Sequence, residues 1–373
     1  VSNDIVTDQR VLKIANEIIL SGAKVTILGR ELPWSLEADI PGIKIVRYKM
    51  LFRKGLFFYK FLNIRLFFSI LSRKPDILVA NDLDTLLPNY IISRFRRIPL
   101  VYDAHEYFTG TPELMERPLR RFVWKSIERL TVPRIKHMMT VNRSIAGIYG
   151  NEYGIEVSVV RNFSKRWKGE VSSRIELGID RDDLLCVIQG TGINRDRGGI
   201  QLIEAIQDLT GVHLLVIGRG DRVAEMRDRV LELGLVDRVT FLPVMKWEDM
   251  MSYTAMADVG LSLDSPGSPN YENSLPNKIF DYMSAGLAII ATDLKEVARV
   301  IRDSGCGLVI NEPSPGEISR AISRLRDNRM LLEQCRKNSV KSHEEYCWEG
   351  EKKEIRRIYS GAGLLSWPGE TNN

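Results

Sequence analysis

Two rhythms alternate along most of this chain: short, almost wholly apolar runs, and longer stretches in which apolar residues recur every three or four positions. The first rhythm predicts buried strands and the second amphipathic helices, so the chain reads as a repeating strand–helix series. In the first half the pattern predicts a helix over 8–21, strands over 24–28, 43–47 and 77–80, and a helix from about Thr85. A strand over 100–102, a helix through 119–130, a strand over 138–141, a short helix and a strand over 157–160 follow. The polar, irregular run 162–173 predicts a linker. Beyond it the series restarts, with strands over 184–189, 214–217, 239–242, 259–263, 288–291 and 308–310. Helices are predicted over 200–209, 223–233, 277–283 and 295–301, then to about Tyr359, with a frayed tail over 360–373. Such alternation predicts parallel sheets with helices on both faces. The expected fold class is α/β, with two doubly wound, Rossmann-like domains facing across a cleft. Ligands bind such sheets at their carboxyl ends.

Length supports two domains: 373 residues exceed one ordinary core, and 44% hydrophobic with 27% charged residues is globular composition. Val1-Ser2-Asn3-Asp4 lacks the layout of a signal peptide, and a helical pattern begins almost at once; most of a first strand is expected to lie outside the sequence. No run of eighteen uncharged apolar residues occurs, which predicts a cytoplasmic chain without a spanning helix. Cys186, Cys306, Cys335 and Cys347 are scattered without metal-ligand spacing, as free thiols of a reducing compartment would be. The net charge of +5 favours anionic partners and gives no reason to expect nucleic acid.

The stretch from Tyr271 to Ala291 carries the most specific pattern. Pro276 stands where a helix would start, so first-turn amides would face an anion. Asp281, about one turn inside, offers a carboxylate to a vicinal diol such as a ribose, and Gly286 would end the helix. This stretch resembles the family 4 glycosyltransferases, which are retaining enzymes of GT-B fold. Their signature here is Glu-x7-Glu followed by Ala/Tyr-Met-Ala-x-Gly; this sequence has Asn273-x7-Asp281 and then Tyr282-Met283-Ser284-Ala285-Gly286. The resemblance implies a ribose contact for Asp281 and a donor-sugar contact at Asn273, where Glu272 could stand in for the lost carboxylate. Ser274, Leu275 and Lys278 belong to the same donor-binding segment.

A second match opens the other half. Gly190, Thr191 and Arg197-Gly198 fall where the family carries Gly-Arg and, about six residues on, Lys-Gly, the cations that grip the donor diphosphate. Arg197 takes the second position, Thr191 replaces the first cation, and Arg195 is a candidate substitute. The resemblance also places Gly218, Arg219, Pro243 and Val244 beside the donor's base. Read instead as dinucleotide fingerprints, Gly190-x-Gly192 and Gly218-x-Gly220 are incomplete, since Arg195 and Val223 occupy the last glycine position.

In the first half His105 matches a family His that faces the donor sugar, and Asp8 with Arg10, after Thr7, resembles the family's opening helix. Asp82-Leu83-Asp84 looks like a metal motif of another glycosyltransferase fold, yet its place after a strand favours helix capping. Over 49–74 there are seven Lys or Arg, seven aromatics and no acid, which suits either an anionic membrane surface or a core helix with charged tips.

The resemblance implies a first domain over 1–163, a nucleotide-sugar domain over 164–345, and a last helix over 346–373 returning to the first. It implies transfer of a sugar from a UDP- or GDP-sugar to a sugar or lipid-linked acceptor, as in cell-envelope polysaccharide biosynthesis. Catalytic roles fall to His105 and Arg197, with no metal and no cofactor beyond the nucleotide-sugar substrate. The enzyme would be cytoplasmic, or peripheral on the inner membrane face. A nucleotide-sugar epimerase and a non-catalytic nucleotide-binding homologue stand as alternatives.

Overall fold

The computed structural model describes residues 1–5, 8–33, 35, 37, 40–364 and 367, and the chain forms two compact units: 1–162 with 351–373, and 163–350. Thr7 and most of the tail from Leu364 onward lie outside the described residues.

In the first unit, α1 (Gln9–Ile19) leads into β1 (Val25–Glu31), which pairs in parallel with β2 (Ile43–Lys49). Helix α2 (Gly55–Leu71) then precedes a four-stranded parallel sheet, β3 (Leu78–Asn81), β4 (Leu100–Ala104), β5 (His137–Thr140) and β6 (Ser158–Val159), in that spatial order. The crossovers carry α3 (Leu83–Arg96), the single turn α4 (Pro112–Met115), α5 (Pro118–Thr131) and α6 (Arg143–Tyr153). Strand β4 is buried along its whole length, as a central parallel strand must be.

The second unit has six parallel strands. β7 (Leu184–Gly190), β8 (Val212–Gly218) and β9 (Val239–Leu242) run outward in one direction. β10 (Val259–Ser262), β11 (Ala288–Thr292) and β12 (Gly307–Ile310) then extend the sheet from the other side of β7. Helices α7 (Gly199–Gln207), α8 (Val223–Glu232), α9 (Trp247–Thr254), α10 (Pro269–Glu272), α11 (Lys278–Ala285), α12 (Lys295–Ser304), α13 (Pro315–Asp327) and α14 (Arg329–His343) cover it. The apolar positions divide into two clusters: Leu184, Cys186 and Ile188 join one, and Leu185 and Val187 the other. This is the period of two of a strand covered on both faces. The order reverses at β7, so the carboxyl ends of β7 and β10 mark the topological switch point of the sheet. The final helix, α15 (Trp348–Gly361), passes from the second unit into the first, where Glu351 accepts from the Arg161 amide and Arg356 pairs with Glu17.

Most predicted elements appear within a few residues of their expected ends. Some expectations need correction. The segment before Leu275 contains the turn α10, capped by the Ser268 hydroxyl, where only loop was expected. Helix α9 was not foreseen. Pro276 lies ahead of the N-cap Asn277, outside α11.

Candidate functional site

At the switch point three loops interlock. The Arg219 amide donates to Gly190 O (3.0 Å) and the Ile193 amide to Arg219 O (2.9 Å), joining the loops after β7 and β8. The Ser265 amide donates to Asp196 O (2.7 Å), joining the β10 loop to the β7 loop. Glycine is required where these backbones touch. Gly198 has φ +70°, and a Cβ there would stand 2.5 Å from Leu263 Cβ. Gly218 has φ +122°, and a Cβ would meet Gly190 O at 2.0 Å.

This packing delivers Arg197 to Asp264, the second residue beyond β10. Arg197 Nη1 lies 2.5 Å from Asp264 Oδ2, and the Tyr271 ring centroid is 4.4 Å from the guanidinium carbon. Lys278, the first residue of α11, approaches the same carboxylate from the other side, with Nζ 3.5 Å from Oδ1. Asp264 is 1% exposed. Burial alone would raise its carboxyl, but Lys278 and Arg197 hold it below the ordinary carboxylate range. Burial and the neighbouring Arg197 lower Lys278, against the pull of Asp264.

One turn along α11, Asp281 is buried and receives three side-chain donors: Ser164 Oγ (2.5 Å) and Trp247 Nε1 (3.0 Å) on Oδ1, and Gln189 Nε2 (3.1 Å) on Oδ2. Thr254 donates to Gln189 Oε1 (2.6 Å), so the amide has one orientation that serves both neighbours. The first-turn amides are not all free for an anion: those of Ile279 and Phe280 donate to Pro276 O and Asn277 O, and the Lys278 side chain adds a cation at this end. Gly286 ends α11 in the left-handed conformation, as expected.

The remaining donor-segment residues are distributed around this centre. Glu272 is exposed on α10, Asn273 donates from its amide to Pro269 O (2.8 Å), Ser274 donates to Tyr271 O (3.0 Å), and Leu275 packs in the core. Thr191 is exposed, Arg219 half-buried, Pro243 exposed and Val244 half-buried. Arg195 is 64% exposed, 3.9 Å from Asp196, and does not join Arg197 at Asp264; Lys278 does.

His105 directly follows β4 in the first unit. Its backbone amide donates to Asp82 Oδ1 (2.8 Å), and its Nδ1 lies 3.5 Å from Asp82 Oδ2. Nε2 stands 3.2 Å from Asp103 Oδ2, at an angle that falls short of a hydrogen bond. Asp103 is itself gripped by Arg10, whose Nε and Nη2 donate to it at 2.6–3.0 Å while Nη1 donates to Val160 O at 2.6 Å. Burial would lower the imidazole's pKa, but Asp82 and Asp103 outweigh it and raise it to about 10. Burial would likewise raise Asp103, which Arg10 and His105 hold at about 2. The capping reading of Asp82 is therefore corrected. Its side chain makes no cap bond to α3 and turns to His105.

On α2 the row Phe58, Leu62, Leu66 and Ile70 is buried, while Phe57, Phe61 and Phe68 are 58%, 47% and 62% exposed beside exposed Lys54, Lys60 and Arg65. The segment is thus a core helix on one face and an apolar, basic surface on the other. Among the described residues no helix is long and apolar enough to cross a membrane.

Sequence reasoning missed Asp264, Gln189, Ser164 and Trp247. A carboxylate just beyond the apolar run of β10 and a glutamine closing that of β7 were the available signals.

Two doubly wound parallel units, the second gathering cations at its switch point, define the GT-B class. Profiles described as "Glycosyltransferase Family 4" and "Glycosyl transferases group 1" match residues 8–163 and 176–342. The chain belongs to the family 4 glycosyltransferases. A phosphatidyl-myo-inositol mannosyltransferase of Mycobacterium leprae is 25% identical over 77% of this chain and 88% of its own length. Coverage varies, and the match to another curated relative spans only 49% of that protein. Among solved structures, WaaG, a glycosyltransferase involved in lipopolysaccharide biosynthesis, superposes with TM-score 0.71 at 18% identity over 94% of this chain and 95% of its own. Anabaena HepE in complex with UDP-glucose gives TM-score 0.72 at 15% identity over 97% and 98%.

Proposed function

We propose that this protein transfers a sugar from a UDP- or GDP-sugar to a sugar or lipid-linked acceptor of the cell envelope, with retention and without a metal. One observation carries the reading: two cations and a buried carboxylate converge at the switch point of the second unit, one helical turn from Asp281. In this reading Asp281 holds the ribose and Arg197 the diphosphate, whose charge grows as it leaves. The other donor-segment residues shape the pocket. The bond from sugar C1 to the phosphate oxygen breaks, and the acceptor oxygen bonds to C1 on the same face. The acceptor's proton passes to the departing phosphate, so no separate base is needed. His105 is protonated at neutral pH, so it donates to the sugar and does not act as base. The names of the relatives support the donor and acceptor classes: HepE is described with UDP-glucose and the mycobacterial enzyme acts on phosphatidyl-myo-inositol.

Incubation with UDP- and GDP-sugars, with and without candidate acceptors, tests this by product analysis. Acceptor-dependent release of nucleoside diphosphate is expected. An epimerised nucleotide sugar would mean an epimerase, and binding without turnover a non-catalytic homologue.

The exposed face of α2 also suits an anionic bilayer, placing the enzyme on a membrane as a peripheral protein. Cations and rings should hold the protein on anionic vesicles at low salt and release it at high salt. Failure to sediment with anionic vesicles at low salt would remove the membrane contact.

A further inference from the structure

We propose that Asp264 is a positioning residue that holds Arg197 and Lys278 as a matched pair for the donor's diphosphate, with Lys278 supplying the cation missing at Thr191. This rests on the donor reading above. Two cations drawn from different loops, one after β7 and one at the start of α11, repel each other where they approach. The Asp264 carboxylate stands between them and offers one oxygen to each. It cannot turn away: it is 1% exposed, and Gly198 presses the Arg197 loop against Leu263, immediately before Asp264. The Tyr271 ring lies over the guanidinium and adds a cation–π contact to it. The result is a fixed pair carrying more positive than negative charge, where a diphosphate can meet both cations without reorganising the site.

The chemistry gives Asp264 a signature that mere packing lacks. The charged groups facing Lys278 are Asp264 from the β10 loop and Arg197 from the β7 loop. Burial and Arg197 already push the ammonium towards neutrality, and Asp264 opposes them. Removing the carboxylate would let Lys278 lose its proton at lower pH, so the defect should deepen as pH rises.

Calorimetry with UDP and UMP, or with GDP and GMP where the wild type prefers guanine, tests the idea at pH 6 and pH 8. The wild type should favour the diphosphate at both. Asp264→Asn should lose about tenfold in diphosphate affinity at pH 8 and less at pH 6, with monophosphate affinity unchanged. Asp264→Glu should recover part of the loss. Lys278→Met, which leaves Asp264 its Arg197 partner, should lose the preference for diphosphate at both pH values. The proposal is overturned if Asp264→Asn binds diphosphate as tightly as the wild type at pH 8. It is equally overturned if Lys278→Met keeps the full preference. A wild type that binds none of the four nucleotides would instead bring down the donor reading itself, and this proposal with it.

Discussion

The two units collect charge in opposite senses. In the first, two carboxylates, Asp82 and Asp103, surround the cation of His105, and Arg10 completes the balance. In the second, two cations, Arg197 and Lys278, share the single carboxylate of Asp264. The first arrangement is neutral within itself. The second carries a positive excess, and an anionic ligand is its natural complement. Hydrogen bonding differs as well. Asp281 is supported by the neutral donors Ser164, Gln189 and Trp247, whereas Asp103 is held by charged partners. A carboxylate held by neutral donors keeps its own charge in play, while one in a bidentate arginine pair has it cancelled.

The contrast is broken most sharply at Arg197. Arg197→Ala should lower kcat about a hundredfold, because it removes charge stabilisation from the leaving group. Nucleoside-diphosphate affinity should fall less. Steady-state kinetics beside calorimetry separates the two, and an equal loss in both would make the contact a ground-state one. Asp281→Ala should weaken nucleoside-diphosphate binding by about tenfold, as loss of a charge-assisted hydrogen bond implies. Unchanged affinity in a folded variant would take Asp281 out of the site.

The first unit gives a pH test. His105 has its pKa raised from 6.5 to about 10, so its contribution to stability is complete below the unfolded value and vanishes as pH climbs through the folded one. Denaturant unfolding of the wild type and His105→Gln should therefore show a gap that narrows steadily from about pH 6.5 to about pH 10. A gap that widened over that range would mean the two carboxylates do not hold the imidazolium. The smallest expected effect is that of a chelator on turnover, namely none. Metal-reversible loss would turn attention to Asp82 and Asp84.

Most of the fold was legible because apolar runs over 184–189 and 214–217 have no other use than buried parallel strands. Of the candidate site, the sequence offered Asp281, Arg197 and Lys278 because they lie inside contiguous motifs. Asp264 was not, since its meaning depends on two loops 67 residues apart meeting at Arg197. Gln189 and Ser164 were hidden for the same reason: they act on Asp281 across 92 and 117 residues. Asp82 was misread because a capping residue and a histidine partner look alike until β3 and β4 pair in register and bring it beside His105.

Thermal unfolding in the presence of a panel of UDP- and GDP-sugars tests the central claim most directly, with the wild type run beside Arg197→Ala and Asp281→Ala. A ligand at about a hundred times its dissociation constant adds about 2.7 kcal/mol to stability. At least one nucleotide sugar should therefore raise the wild-type Tm by several degrees and each variant's clearly less, since a tenfold weaker ligand at the same concentration adds only about 1.4 kcal/mol. If no nucleotide sugar stabilises the wild type, or if both variants are stabilised as strongly, the second unit does not bind donor through these residues.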